Sequence, residues 1–247
     1  RVVHELGEHQ LHHWPHAADR RADPGAGHCG FADRGVDYPV GAETLAKTLR
    51  RMHCAVVDRA DVLPEHRKAV ALYAEVAGLL APHVDVLIAE TVASLDHARA
   101  VLEGARGAGK PVWLSVTVDD EDGTLLRSGE RVADLGPILK DGGARAILAN
   151  CSAPEAMADA LRIFAGFGLP FGAYANGFQQ ITKEFLKDSP TVAVLHARPE
   201  MTPARYADFA VAWVGMGATI IGGCCETTPA HIAEIARRLT AEGHRIV

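Results

Sequence analysis

No apolar stretch of about 18 residues, the length a membrane helix needs, occurs anywhere in the 247-residue chain, which excludes a helical membrane span. The first residues also lack the apolar core of a secretory signal. A soluble, cytoplasmic protein is therefore expected. Basic charge is short: 25 Lys and Arg against 31 Asp and Glu leave a formal net charge of −6, so there is no footprint for nucleic acid or an anionic membrane surface. Small molecules are the expected partners. No low-complexity linker divides the chain, and one α/β domain is the expectation at this length. An even set of cysteines is missing too. Five, two of them adjacent, make a poor disulfide framework and a better set of metal ligands or nucleophiles in a reducing compartment.

From about Asp58 onward, short apolar runs alternate with longer helical patterns, as repeated β-α units of a parallel sheet should. The runs 84–89, 112–118, 146–149, 171–174, 192–195 and 218–221 are continuously apolar, as strands buried on both faces are. A helix is predicted over 203–215, with Tyr206, Phe209, Ala210 and Trp213 on one stripe and Thr202-Pro203 as cap and first turn. A second begins near Pro229 and continues through Ile232, Ile235 and Leu239. Residues 1–57 differ. His4, His9, His12, His13, His16 and His28 crowd there without ligand spacing, and no period persists before 44–52, so this stretch reads as an atypical N-terminal segment.

Gly222-Gly223-Cys224-Cys225 follows the apolar run 218–221. Neighbouring side chains on a strand point to opposite faces, so adjacent cysteines serve one centre only where the strand has ended and the backbone bends; two glycines are expected to supply the bend. Cys151 likewise follows the run 146–149 and Asn150. Three thiols would then share the rim where α/β barrels place their sites, a soft-ligand set suited to Zn²⁺ with one position left open. Three thiolates make the centre a weak Lewis acid toward water and a better host for a thiol, which points to alkyl transfer onto sulfur. Buried, inert cysteines or a thiol redox pair are the alternatives; redox pairs commonly have two intervening residues. Asp119, Asp120, Glu121 and Asp122 read as a solvated loop, Gly215-Met216-Gly217 and Asp141-Gly142-Gly143 as helix C-caps, and Cys29 and Cys54 as incidental.

Gly222-Gly223-Cys224-Cys225 with Thr228-Pro229 and His231-Ile232, Asn150-Cys151 and Ala89-Glu90-Thr91 resembles the homocysteine S-methyltransferases, over roughly residues 58–247. The resemblance implies a (β/α)8 TIM-type barrel and zinc held by Cys151, Cys224 and Cys225. It also implies methyl transfer to homocysteine from a sulfonium donor, S-methylmethionine or S-adenosylmethionine, yielding methionine. Glu90 matches the family's substrate-binding acid, with capping of the next helix as the alternative. Asn176 is a candidate pocket residue, unless Asn176-Gly177 is an ordinary turn. Two departures stand out. The family's first strand, ending in Asp-Gly-Gly, is not in place, so a barrel incomplete or atypical at its N-terminus is expected, with a non-catalytic zinc- or thiol-binding paralogue as the alternative function. Glu226 also stands where many members have glycine.

Overall fold

The computed structural model of the chain describes residues 65–179 and 197–247. The strand expected over 192–195, the stretch 44–52, the histidine-rich stretch, Cys29 and Cys54 lie outside the described residues. Five parallel strands, β1 (Leu87–Val92), β2 (Val112–Val116), β3 (Ala146–Asn150), β4 (Phe171–Tyr174) and β5 (Ile220–Ile221), form one sheet in the order β1-β2-β3-β4-β5. Among the described residues, six α-helices accompany them: α1 (His66–Leu80), α2 (Leu95–Ala105), α3 (Leu135–Gly142), α4 (Met157–Phe164), α5 (Pro203–Gly215) and α6 (Pro229–Ala241). A doubly wound sheet reverses its strand order at a switch point, whereas here spatial order follows chain order throughout, as around a barrel wall. The described strands thus form an open arc of a TIM-type barrel. Among the described residues, no helix is long and apolar enough to cross a membrane.

The apolar runs became strands because both of their faces are covered. β3 is buried along its whole length, and Leu114, Val116, Ile147, Ala149 and Ala173 are closed off completely. The first strand begins and ends three residues later than the apolar run suggested, at 87–92 in place of 84–89, and takes in Glu90 and Thr91. Between Ala89 and Val92 it advances three residues while β2 advances two, so one residue bulges out of register. The last strand is shorter than expected, beginning at Ile220.

Helix ends follow their sequence signals. Thr202 Oγ1 accepts from Arg205 N–H at 3.3 Å, and Gly143, with φ +72°, closes α3. On α5 the inward stripe is Tyr206, Ala207, Ala210 and Trp213; Phe209 stays half-buried under the Arg205 guanidinium, 4.9 Å from its ring centre. On α6, Ile232 is 44% exposed and His231 takes the inward place, its Nδ1 capping the helix start and its Nε2 meeting Met201 O at 2.9 Å.

Between α1 and α2, Tyr73 Oη lies 2.5 Å from His97 Nε2, and the Ala93 N–H donates to His97 Nδ1. Burial lowers the His97 pKa to about 4. The unfolded chain takes up this proton below about pH 6.5 while the folded chain refuses it, so stability is full above that pH and is lost as pH falls toward 4. The full shift is worth about 3 kcal/mol at most. We expect the melting temperature to fall steeply between pH 6.5 and 4 and His97→Gln to flatten that slope. An unchanged slope in the variant would remove His97 as the cause.

Candidate metal centre

At the C-terminal ends of β1, β2 and β3, a side chain helps to hold the backbone. Asn150, last residue of β3, accepts from Thr91 N–H at 3.0 Å and Ser115 Oγ–H at 2.8 Å, and its amide donates to Thr91 Oγ1 at 3.0 Å. One buried amide thereby joins the ends of β1, β2 and β3. Cys151 follows with φ +49°, a left-handed conformation that a side chain adopts only when its surroundings impose it. Among the described residues, only Thr91, Cys151 and Glu226 are non-glycine residues with positive φ, and each adjoins or is a candidate site residue.

The second cysteine stretch is anchored to the extension of β4. Gly222 N–H donates to Ala173 O, Cys224 N–H to Ala175 O at 2.9 Å, and Gly177 N–H back to Cys225 O at 2.8 Å. Asn176 N–H donates to Ser152 O at 3.1 Å, so residues 175–177 bridge the two cysteine stretches. Tyr206 from α5, fully buried, places its hydroxyl 3.0 Å from both Ala175 O and Gly222 O. The two glycines act differently from expectation, since neither has positive φ. Gly223 is needed for closeness: a Cβ there would sit 2.8 Å from Thr227 Cβ, inside the turn that Thr227 closes by donating to Cys224 O at 2.6 Å. The left-handed residue is Glu226, φ +60°, a conformation that glycine adopts freely and that leaves about 1 kcal/mol of strain here.

These anchors gather three sulfurs. Cys151 Sγ lies 3.7 Å from Cys225 Sγ, Cys225 Sγ lies 4.0 Å from Cys224 Sγ, and all three fall within 4.8 Å of one another without a disulfide. A tetrahedral centre with metal–sulfur bonds of about 2.3 Å spaces its sulfurs roughly 3.8 Å apart, so the donor set fits a soft divalent ion. Cys224 and Cys225 are buried, Cys151 is partly open, and Phe178 packs over the pair. Thiol contacts from Cys224 and Cys225, then burial, hold the Cys151 pKa well above the usual thiol value. For Cys224, the contact with Cys151 acts downward, but Cys225 and burial outweigh it and the net shift is upward. Three negative sulfurs this close require a compensating cation.

Glu90 sits on the β1 bulge and accepts from Tyr174 Oη at 2.8 Å, while Tyr174 packs against the cysteine cluster. Burial, then the Glu90 charge, raises the Tyr174 pKa well above its ordinary value and keeps the phenol a donor. Capping of α2 falls to Ser94, which accepts from His97 N–H, with Glu130 taking Leu95 N–H, so Glu90 is left to the rim. Asn176 is 1% exposed; its Oδ1 takes Phe178 N–H, and its buried Nδ2 has no hydrogen-bond partner among the described residues. The acidic loop differs from expectation at one position. Asp119 and Asp122 close exposed turns, but the Asp120 side chain is 1% exposed and paired with Arg127. Tyr174, Asp120 and Arg127 were invisible as site neighbours, since only long-range packing brings them there.

A family model described as Homocysteine S-methyltransferase matches residues 37–239, starting ahead of Asp58. Homocysteine S-methyltransferase 1 of Brassica oleracea var. italica is 29% identical over 178 residues, covering 70% of this chain and 50% of its own length. Homocysteine S-methyltransferase of Escherichia coli (strain K12) is 30% identical over 171 residues, covering 66% and 50%. The solved metallated form of the homocysteine methyltransferase MmuM from Escherichia coli superposes with a TM-score of 0.56 at 25% identity, over 71% of this chain and 52% of that one. The chain spans about half the length of these relatives.

Proposed function

Because the chain belongs to the homocysteine S-methyltransferase family, we propose that it transfers a methyl group from a sulfonium donor, S-methylmethionine or S-adenosylmethionine, to the thiol of homocysteine, with zinc held by Cys151, Cys224 and Cys225. The observation that carries this reading is the convergence of three sulfurs, from two stretches far apart in sequence, within 4.8 Å on the rim. Zinc bound there supplies a Lewis acid that lets a substrate thiol ionise near neutral pH while remaining nucleophilic. The homocysteine sulfur forms a bond to the methyl carbon as the sulfonium carbon–sulfur bond breaks, the electron pair staying on the donor sulfur and the thiol proton passing to solvent.

The chain's own residues orient and dry this reaction. Glu90, fixed by Tyr174, offers a carboxylate for the amino group of homocysteine. Asn176 brings a buried amide donor, without a partner among the described residues, to the segment between the cysteine stretches, suited to a substrate acceptor group. Phe178 and Tyr174 exclude water beside the sulfurs, which favours charge neutralisation between thiolate and sulfonium. Three free thiols suit a reducing compartment, so this reading places the chain in the cytoplasm.

Zinc-loaded protein given homocysteine and each sulfonium donor in turn should form methionine, measured by mass spectrometry. Glu90→Gln should raise the KM for homocysteine about tenfold or more, the loss of one charge-assisted contact, with a smaller change in kcat. Homocysteine binding without methionine would identify a non-catalytic paralogue. An unaltered KM in the variant would remove Glu90 from the substrate site.

A further inference from the structure

The excursion between β2 and α3 folds back on itself and closes over Cys151. Val118 and Leu126 form an antiparallel bridge, Asp119 N–H donates to Leu125 O, and Arg127 N–H donates to Thr117 O. This small hairpin grips the turn after β3 at three points. Ser152 Oγ accepts from Val118 N–H at 2.9 Å, lies 3.1 Å from Thr117 Oγ1 and meets Asn150 O at 3.1 Å. Asp120 Oδ1 accepts from Ala153 N–H at 2.8 Å. Arg127 Nη2 donates to Cys151 O at 3.4 Å while pairing with Asp120 Oδ1 at 3.2 Å.

We propose that Arg127 and Asp120 are positioning residues for Cys151: a buried ion pair whose two members hold the backbone on either side of Ser152, the guanidinium on the Cys151 carbonyl and the carboxylate on the Ala153 amide. The two side chains are 2% and 1% exposed, a costly location for charges that need not support the fold, since buried pairs seldom repay their desolvation in stability. What the pair does supply is geometry. Cys151 is held at φ +49°, which a free turn would leave for an unstrained conformation, carrying its sulfur away from Cys225. Arginine suits the task because its terminal Nη2, fixed in the guanidinium plane, faces the Asp120 carboxylate and the Cys151 carbonyl together, whereas a lysine ammonium is a strongly hydrated point charge on a flexible stem. Asp120 is therefore not part of a solvated acidic loop but part of the cysteine support, and the same reasoning assigns the Thr117–Arg127 hairpin to the site.

This proposal rests on the zinc reading above for its affinity readout, and a metal-free readout separates the two. Arg127→Lys keeps the charge beside Asp120 and loses the guanidinium plane that fixes Nη2 on the Cys151 carbonyl. The double variant Arg127→Met with Asp120→Asn leaves no unpaired buried charge and keeps an acceptor for Ala153. Both should retain the circular dichroism spectrum, while zinc affinity, measured against a chromophoric chelator, falls about 10- to 100-fold as when a ligand's supporting contact is lost. In the metal-free chain, mass spectrometry should show Cys151 alkylated faster by iodoacetamide than in the parent, with Cys224 and Cys225 unchanged. Parental zinc affinity and a parental Cys151 rate in the double variant overturn the proposal. So does loss of the fold in both variants, because the pair would then support the fold and not the thiol. A parent chain that binds no zinc defeats the zinc reading alone and leaves the alkylation rates to decide the clamp.

Discussion

Cys224→Ala should reduce bound zinc from about one equivalent per chain to an undetectable level at micromolar protein and abolish methyl transfer with it. Structural zinc sites with four protein ligands are worth about 10–16 kcal/mol, so each ligand carries roughly 3–4 kcal/mol, or several hundredfold in affinity. A three-sulfur site has no spare ligand to absorb that loss, and Cys224 lies 4.0 Å from Cys225 in a pocket where no other soft donor is described. The deletion should cost little fold stability, because Cys224 is a small side chain at the rim, outside the main core. Elemental analysis after dialysis against a weak chelator reads the occupancy, and Cys29→Ala, outside the matching motifs, serves as the control. Full zinc retention by Cys224→Ala would refute the three-cysteine site, and equal loss in both variants would show the metal to be bound elsewhere.

How far the site could be read in advance depended on whether a feature was local. β3, β4 and α5 were legible because their signals lie within one element: unbroken apolar runs at 146–149 and 171–174, and a Thr202-Pro203 start. The convergence of Cys151 with Cys224 and Cys225 followed from topology, since strands of one parallel sheet present their C-terminal ends on one side. The bulge at Glu90 was not legible. It exists because Asn150, 59 residues onward, takes the Thr91 N–H out of the ladder, and no local pattern encodes that. Nor did letters alone separate Asp120 from Asp119 and Asp122; only the hairpin that brings Arg127 back to Thr117 buries one of the three. Glycine was informative about closeness at Gly223 and misleading about conformation, since the strained residues proved to be Cys151 and Glu226.

Gly172→Ala should be the most damaging single methyl group that can be added to the sheet. β4 and β5 are joined by two residue pairs only, Gly172 with Ile220 and Ala173 with Ile221, and a Cβ on Gly172 would overlap the Ile220 carbonyl, lying 2.6 Å from its carbon. The obstacle is backbone, so no rotamer change relieves it and the strands must separate. Overpacking usually costs about 1–3 kcal/mol; here the cost should reach or exceed about 3 kcal/mol, a large share of a typical domain's 5–15 kcal/mol. Gly78 on α1 gives the contrast, because nothing among the described residues lies within 4 Å of where its Cβ would be, and Gly78→Ala should stabilise the helix by about 0.5–1 kcal/mol. Urea unfolding compares the two. The effect of Gly172→Ala should also reach the metal, since β5 leads directly into Cys224 and Cys225 and its displacement moves them from Cys151, lowering zinc affinity even where the variant is still folded. A Gly172→Ala chain within about 1 kcal/mol of the parent would mean that β5 does not pack this closely on β4, and the route by which the sheet sets the spacing of the three sulfurs would be lost with it.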